Sequence, residues 1–230
     1  MFQLSIELFD SKHHRVLWSD RWEESWDNLP QIKTKLGDGV LKTLNTEPKK
    51  KVAEEVVTPE AYEYYLKGKY RHEKRKNLED VDIARGFFQK ALELERDFIL
   101  AEIELGLTYF FTGNYNKAEK IFSISLKKSK RKNDKKASSH CLNHLGMLFR
   151  NQSKYKEAID YHKKALAVRE KLGDKLGVSM SLNNLGLVEF DQARQNSALK
   201  YFRRSLKIKE ELEDQRRIAA TLNNCALVYK

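Results

Sequence analysis

Apolar residues recur along most of this chain at helical spacing, and the helices they predict come in pairs that repeat. Segment 145–165 reads LGMLFRNQSKYKEAIDYHKKA, and segment 185–205 reads LGLVEFDQARQNSALKYFRRS. Aligned, Leu145 falls on Leu185, Gly146 on Gly186, Ala158 on Ala198 and Tyr161 on Tyr201, an offset of 40. The offset runs back to Leu105-Gly106, Ala118 and Phe122, and forward to Asn223-Asn224-Cys225-Ala226. A looser copy precedes these with Gly68, Ala84, Phe88 and Ala91, its second helix offset by 34 from Ala118 and Phe122. Self-similarity at a fixed period marks stacked units, none of which can bury its apolar face alone.

Each copy reads as two antiparallel helices. A small residue (Gly106, Gly146, Gly186 or Ala226) lets the first helix approach the second. Ala84, Ala118, Ala158 and Ala198 do the same from the other side, and Leu and aromatic positions fill the seam. The linkers Gly113-Asn114, Ser153-Lys154 and Ala193-Arg194 are short enough for antiparallel neighbours. Asp134, Asp174 and Asp214 share the period and precede first helices, where orphan N–H groups and the helix dipole favour a carboxylate. Gly173 suits a helix C-terminus. The expected units are about 59–97, 98–134, 135–174 and 175–214, with the first helix of a fifth at 215–230.

Residues 1–46 stand outside the repeat. Leu4, Ile6 and Leu8 alternate with Ser5 and Glu7, which predicts a strand. Asp10–His14 reads as a turn, and Val16, Trp18 and Trp22 suit a second strand. After Asn28 and Pro30, Ile32, Leu36, Val40 and Leu44 have helical spacing. A β-hairpin and one helix bury little, so this unit should pack on something. Residues 47–58 read as a charged linker containing Pro48.

The LG…A…F/Y…A spacing resembles the tetratricopeptide-repeat (TPR) family over about residues 60–230. The 40-residue form, with AVREKLGDKLGVSMSLNNLGLVEF and ATLNNCALVYK, is similar to the repeats of kinesin light chain and bacterial TPR sensors. Two features depart from the family. Leu142, Leu182 and Leu222 stand where it has tryptophan, and its proline near the repeat end is absent. The resemblance implies an all-α, right-handed superhelix that binds a protein or peptide on its concave face. The strings SIELFDSKHHRVLWSDRW and DNLPQIKTKL resemble the end of a TolB-N/FlgO-like domain, as found before TPRs in bacterial adenylate cyclases and some transcription regulators. That resemblance implies the regulatory C-terminal region of a larger protein.

Composition changes this picture little. Apolar residues are 40 % and charged residues 33 %, a polar balance that suits an elongated solenoid. With 3 Pro and 10 Gly, long helices are favoured over an all-β fold. The net charge of +11 reads as a Lys-rich solvated surface, because no basic-aromatic motif accompanies it. Two cysteines, Cys141 and Cys225, fall on different units and give no disulfide framework. No apolar run is long enough for a membrane span, and MFQLSIELFDSKHH lacks the features of a signal peptide. The expectation is a cytoplasmic chain.

Walker, GxGxxG, HExxH and CxxC motifs are absent, so neither catalysis nor a cofactor is expected. His140, Cys141 and His144 could hold a metal, but their inner-face positions on a first helix account for them without one. The run KKSKRKNDKK from Lys127 to Lys136 is read as a solvated connection with cations at a helix C-terminus, and nucleic-acid binding is disfavoured.

The most informative polar pattern is a ladder. Asn143, Asn183 and Asn223 recur at 40, and so do His144, Asn184 and Asn224. Leu142, Leu145, Gly146 and Phe149 form the packed stripe of one first helix; the face opposite carries His140, Asn143 or His144, Met147 and Arg150. The matched face of the next carries Met180, Asn183, Asn184, Leu187 and Phe190. The candidate partner groove is therefore His140, Asn143, His144, Met147, Arg150, Asn183, Asn184, Leu187, Phe190, Asn223 and Asn224. Two readings stay open. The amides contact a bound peptide, or they bond neighbouring helices. The side of Leu222, Ala226 and Tyr229 that a second helix would cover is expected to self-associate.

Overall fold

The computed structural model describes residues 2–10, 15–24, 35–36, 38–40, 42–43 and 57–229. The alternating segment pairs as expected. Strand β1 (Phe2–Asp10) runs antiparallel to β2 (Arg15–Glu24), from Phe2 opposite Glu24 to Asp10 opposite Arg15, with a register slip between Leu8 and Phe9. Residues 11–14 of the expected turn, and 47–56 of the expected linker, lie outside the described residues. Trp22 is buried, with the Trp18 ring 6.1 Å away. Residues 35–36, 38–40 and 42–43 are helical. Gly39 lies against Trp18, where an added Cβ would meet the indole Cζ2 at 2.7 Å. Helix and hairpin thus meet at an aromatic contact.

Beyond residue 57 the chain is helical: α1 (Pro59–Glu73), α2 (Leu78–Leu94), α3 (Ile99–Phe111), α4 (Tyr115–Arg131), α5 (Lys135–Asn151), α6 (Tyr155–Leu172), α7 (Lys175–Asp191), α8 (Gln195–Glu211) and α9 (Gln215–Leu227). They pack as pairs α1–α2, α3–α4, α5–α6 and α7–α8, with α9 on α8. The first helices also touch one another, α1 with α3, α3 with α5 and α5 with α7. This is an all-α solenoid with a small hairpin at its N-terminal end.

One contact defines each pair. A Cβ added at Gly68 would lie 2.7 Å from the Phe88 ring; at Gly106, 2.6 Å from Phe122; at Gly146, 2.6 Å from His162; at Gly186, 2.5 Å from Phe202. No side chain fits in those gaps, so the first helix must present bare backbone to a ring on the second. The ring residues are buried, and burying each phenylalanine stabilises by roughly 1.5–3 kcal/mol.

The turns repeat as strictly as the contacts. Gly113, Asn133, Ser153, Gly173, Ala193 and Glu213 all have positive φ, between 52° and 75°. They fall every 20 residues, so the turn inside a pair and the turn between pairs share one left-handed stop. The aspartates cap as expected. The side chains of Asp134, Asp174 and Asp214 accept from the N–H groups of Ala137 (2.8 Å), Gly177 (2.8 Å) and Arg217 (3.1 Å). Each satisfies an orphan donor at the start of α5, α7 or α9.

Candidate functional site

The ladder lies on the first helices α5, α7 and α9, and its groups reach across from one helix to the next. Asn184 Nδ2 donates to Asn143 Oδ1 at 2.9 Å, and Asn224 Nδ2 donates to Asn183 Oδ1 at 3.0 Å. Arg150 grips Asp191 with two parallel bonds, Nε to Oδ2 at 2.6 Å and Nη2 to Oδ1 at 3.0 Å. All three pairs are separated by 41 residues. A step of one repeat plus one residue carries a side chain to its neighbour on the next helix. The asparagines therefore do bond neighbouring helices.

The expectation that Asn143 stands on an open face is corrected, while His144 is half-buried. Asn143 is 2 % exposed; its Oδ1 also accepts from Arg169 Nη1 at 3.4 Å, and its Nδ2 faces the Met147 sulfur at 3.6 Å. The His144 ring stacks on Phe122 at 5.3 Å between centroids, with Nδ1 buried. Helix α5 sits mid-solenoid between α3 and α7, so both its flanks are covered. The sequence pattern gives each residue its register but not its distance from an end. His140, Met147 and Arg150 are half-buried.

On α7 and α9 the Asn143 position opens up, to half-buried Asn183 and exposed Asn223. Asn183, Asn184, Leu187, Phe190 and Asn224 are half-buried, while Asn223 is exposed. Leu187 and Phe190 rest on the cluster of Ala198, Phe202 and Val228. Asn183 Nδ2, Asn184 Oδ1, Asn224 Oδ1 and the whole Asn223 amide take no hydrogen bond among the described residues. This region thus offers donors and acceptors above a partly apolar floor.

Behind the ladder lies a second repeated device that the sequence reading missed. Ser129, Arg169 and Lys209 fall at intervals of 40 near the C-terminal ends of α4, α6 and α8, and all three are buried. Each reaches into the next first helix. Ser129 and Ser138 share a hydrogen bond of 2.9 Å. Arg169 Nη1 donates to Gly177 O (3.0 Å) and Ser181 Oγ (2.7 Å), and Lys209 Nζ donates to Thr221 Oγ1 (2.5 Å). Burial pushes both cations' pKa values down, while Asp174 and Asp214, the next helices' caps, oppose that shift. The 40-residue spacing was visible; a latch between repeats was not inferred because Ser, Arg and Lys share no side-chain class.

The basic run divides. Lys128 bridges Asp97 (3.3 Å) and Glu102 (3.2 Å), whereas Lys127, Lys130 and Arg131 are exposed. Cys141 is buried, which pushes its thiol up to about 12, and Cys225 is half-buried; neither is in a disulfide. Among the described residues no group of three or more His, Cys, Asp or Glu side chains is arranged to hold a metal ion. No described helix is long and apolar enough to cross a membrane.

A family model for the tetratricopeptide repeat matches residues 97–171 and 138–211, together half of the chain. The cell division cycle protein 16 homolog of Homo sapiens is 34 % identical over 89 residues, 37 % of this chain and 14 % of that protein. The chain therefore spans a small part of that relative's length. Among solved structures, a Rap protein complexed with competence and sporulation factor has a TM-score of 0.66 at 15 % identity, covering 84 % of this chain and 52 % of that one. A signal transduction ATPase with numerous domains from Pyrococcus horikoshii, which carries a tetratricopeptide-repeat sensor, has a TM-score of 0.61 at 18 % identity. That match covers 89 % of this chain and 32 % of the other. At these identities the likeness is one of fold.

Proposed function

The chain belongs to the tetratricopeptide-repeat family, and from that premise we propose that it is a non-catalytic scaffold holding a protein or peptide partner against its first helices. The observation that carries this reading is the unequal use of the amide ladder. Asn143 is consumed within the fold, while Asn223 and one end each of Asn183, Asn184 and Asn224 have no bond among the described residues. An amide both donates and accepts, so it can meet either polar group of a peptide backbone. Met147, Leu187 and Phe190 form the apolar floor, with His140 and Arg150 at the α5 end. The Arg150–Asp191 pair holds α5 against α7 and fixes the spacing of the amides.

The test is an affinity measurement with a partner captured from native lysate. Asn223→Ala should weaken binding by roughly 1–3 kcal/mol and leave thermal unfolding unchanged, since no bond within the described fold depends on it. Asn184→Ala with Asn224→Ala should weaken binding by a similar amount and also lower the melting temperature, because both cross-helix bonds go. Undiminished binding by all variants would sink the reading.

The hairpin favours a second reading. Two strands and a helix joined at Trp18 bury too little to stand alone, which suits the regulatory region of a larger cytoplasmic protein of the adenylate cyclase-like or transcription-regulator kind. In either case Leu222 of α9 is 50 % exposed beside the exposed Ala226, Tyr229 just beyond the helix is 69 % exposed, and a second copy of the chain covers that side. Sedimentation over a wide concentration range should reveal the dimer; a strict monomer throughout would refute it.

A further inference from the structure

The pair α5–α6 departs from its neighbours in one respect that the binding role does not use. At the ring position opposite the glycine, the other pairs carry Phe88, Phe122 and Phe202; this pair carries His162. His162 is 0 % exposed, and neither Nδ1 nor Nε2 has a hydrogen-bond partner among the described residues. A second imidazole, His144, lies flat on Phe122 with its Nδ1 also buried and unpartnered. His144 as a whole is half-buried, but an imidazole nitrogen that is buried with no acceptor, as both are in His162 and one is in His144, cannot carry an added proton at acceptable cost.

The charged surroundings sharpen this. The groups bearing on the two rings are Arg150 and His140 from α5 and Arg169 from α6, and His162 itself bears on His144. Arg169 is buried and forms no ion pair with a carboxylate among the described residues; Asp174 acts on it only at a distance. Lys136, Asp174 and Glu104 of α3 bear on His140, and none of the three figures among the influences on His144 or His162. The rings thus face Arg150, Arg169 and apolar surface, with no anion among the described residues bearing on them to receive an imidazolium. Burial first, and then these positive neighbours, hold both pKa values down at about 3.

We infer that α5–α6 is an acid-opened joint in the middle of the solenoid, built from the unpartnered imidazoles of His144 and His162 beside the unneutralised Arg169. Above a pH of about 6.5 both rings are neutral, folded or open, and the joint has its full stability. Below that, the open state takes up protons that the closed state refuses, so stability falls as pH falls, until the closed state protonates near 3. Each ring raises the open-to-closed ratio by about tenfold per pH unit over this range. Opening here also frees Arg169 and Asn143, which hold α7 to α5 and α6. The halves α1–α4 and α7–α9 are then uncoupled. The inference concerns the helix pair itself and stands whether or not the first helices bind a partner.

Native-state hydrogen exchange on the full chain at about pH 7.5 and about pH 5.5, corrected for intrinsic amide rates, tests it. The opening ratio of residues 135–172 should rise by about a hundredfold between the two conditions, two rings at about tenfold each. Residues 195–211, with Phe202 at the ring position, should change far less. His162→Phe restores the ring of the other pairs and should cut the rise to about tenfold. Equal acid response in both segments, or an unchanged rise in His162→Phe, would overturn the inference. Imidazole titration of the parent chain by NMR gives an answer independent of the variant's folding. Both rings must stay neutral in the folded chain at pH about 5.5, and a ring titrating near 6.5 refutes the proposal.

Discussion

Helix pairs α5–α6 and α7–α8 are built on one pattern, 40 residues apart, yet their polar groups do different work. In the first, Asn143 is sealed between helices, His144 is stacked on a ring, and the glycine faces an imidazole. In the second, Asn183 and Asn184 keep one end open each, and the glycine faces phenylalanine. Position along the solenoid separates them. The α5 flanks are covered by α3 and α7, whereas α7 has the shorter, more exposed α9 on its far side. The same amide is therefore a structural tie on α5 and an available contact on α7. In a repeat array, residue type fixes what a group can do, and the number of covered neighbours fixes what it does.

The hardest blow to this comparison would be struck at the latch. Arg169 and Lys209 are equivalent, but Arg169 bonds two groups of the next repeat, Gly177 and Ser181, and Asn143 of its own, where Lys209 bonds Thr221. Arg169→Ala should cost about 3 kcal/mol, combining a lost buried stem with acceptors left unpaired. Lys209→Ala should cost about 1 kcal/mol, because one neutral hydroxyl loses one bond and can turn to the Arg217 carbonyl it already contacts. Urea unfolding of both variants would measure this. Equal losses would mean that the centre of the solenoid is no more tightly tied than its end.

Much of the architecture was legible because close packing demands particular residues at particular places. A helix that touches a ring through bare backbone needs Gly68, Gly106, Gly146 and Gly186, and those four set the register. Asp134, Asp174 and Asp214 announced the helix starts by the same logic. The ladder was legible as a pattern, but its direction was not. Asn143 meets Asn184 rather than Asn183, because the neighbour across the stack lies 41 residues on, a number set by the rotation between repeats. Ser153 and Ala193 were legible as linkers, but the left-handed backbone there and at Glu213 was hidden for another reason. These residues carry no signal for positive φ, and the surrounding helices impose it on them. Arg169 was missed since a buried cation without a carboxylate partner contradicts ordinary expectation.

A smaller effect sharpens the comparison from the packing side. Gly186 lies 2.5 Å, as an added Cβ would, from the Phe202 ring, and Gly146 stands in the same relation to His162 at 2.6 Å. A leucine at Gly186 must push Phe202 out of a cluster it shares with Ala198 and Val228. Overpacking of this kind costs roughly 1–3 kcal/mol, and we expect about 2 kcal/mol, because α9, whose half-buried Cys225 packs on this cluster, can shift to admit the side chain. The same change at Gly146 should cost more, since α5 is held on both flanks and His162 has no free direction in which to move. Thermal melts of the two variants decide the matter. A Gly186→Leu melt indistinguishable from the parent would remove the glycine–ring contact as the element that sets the register. Equal losses at the two sites would leave that contact in place and remove the contrast between a clamped centre and a yielding end.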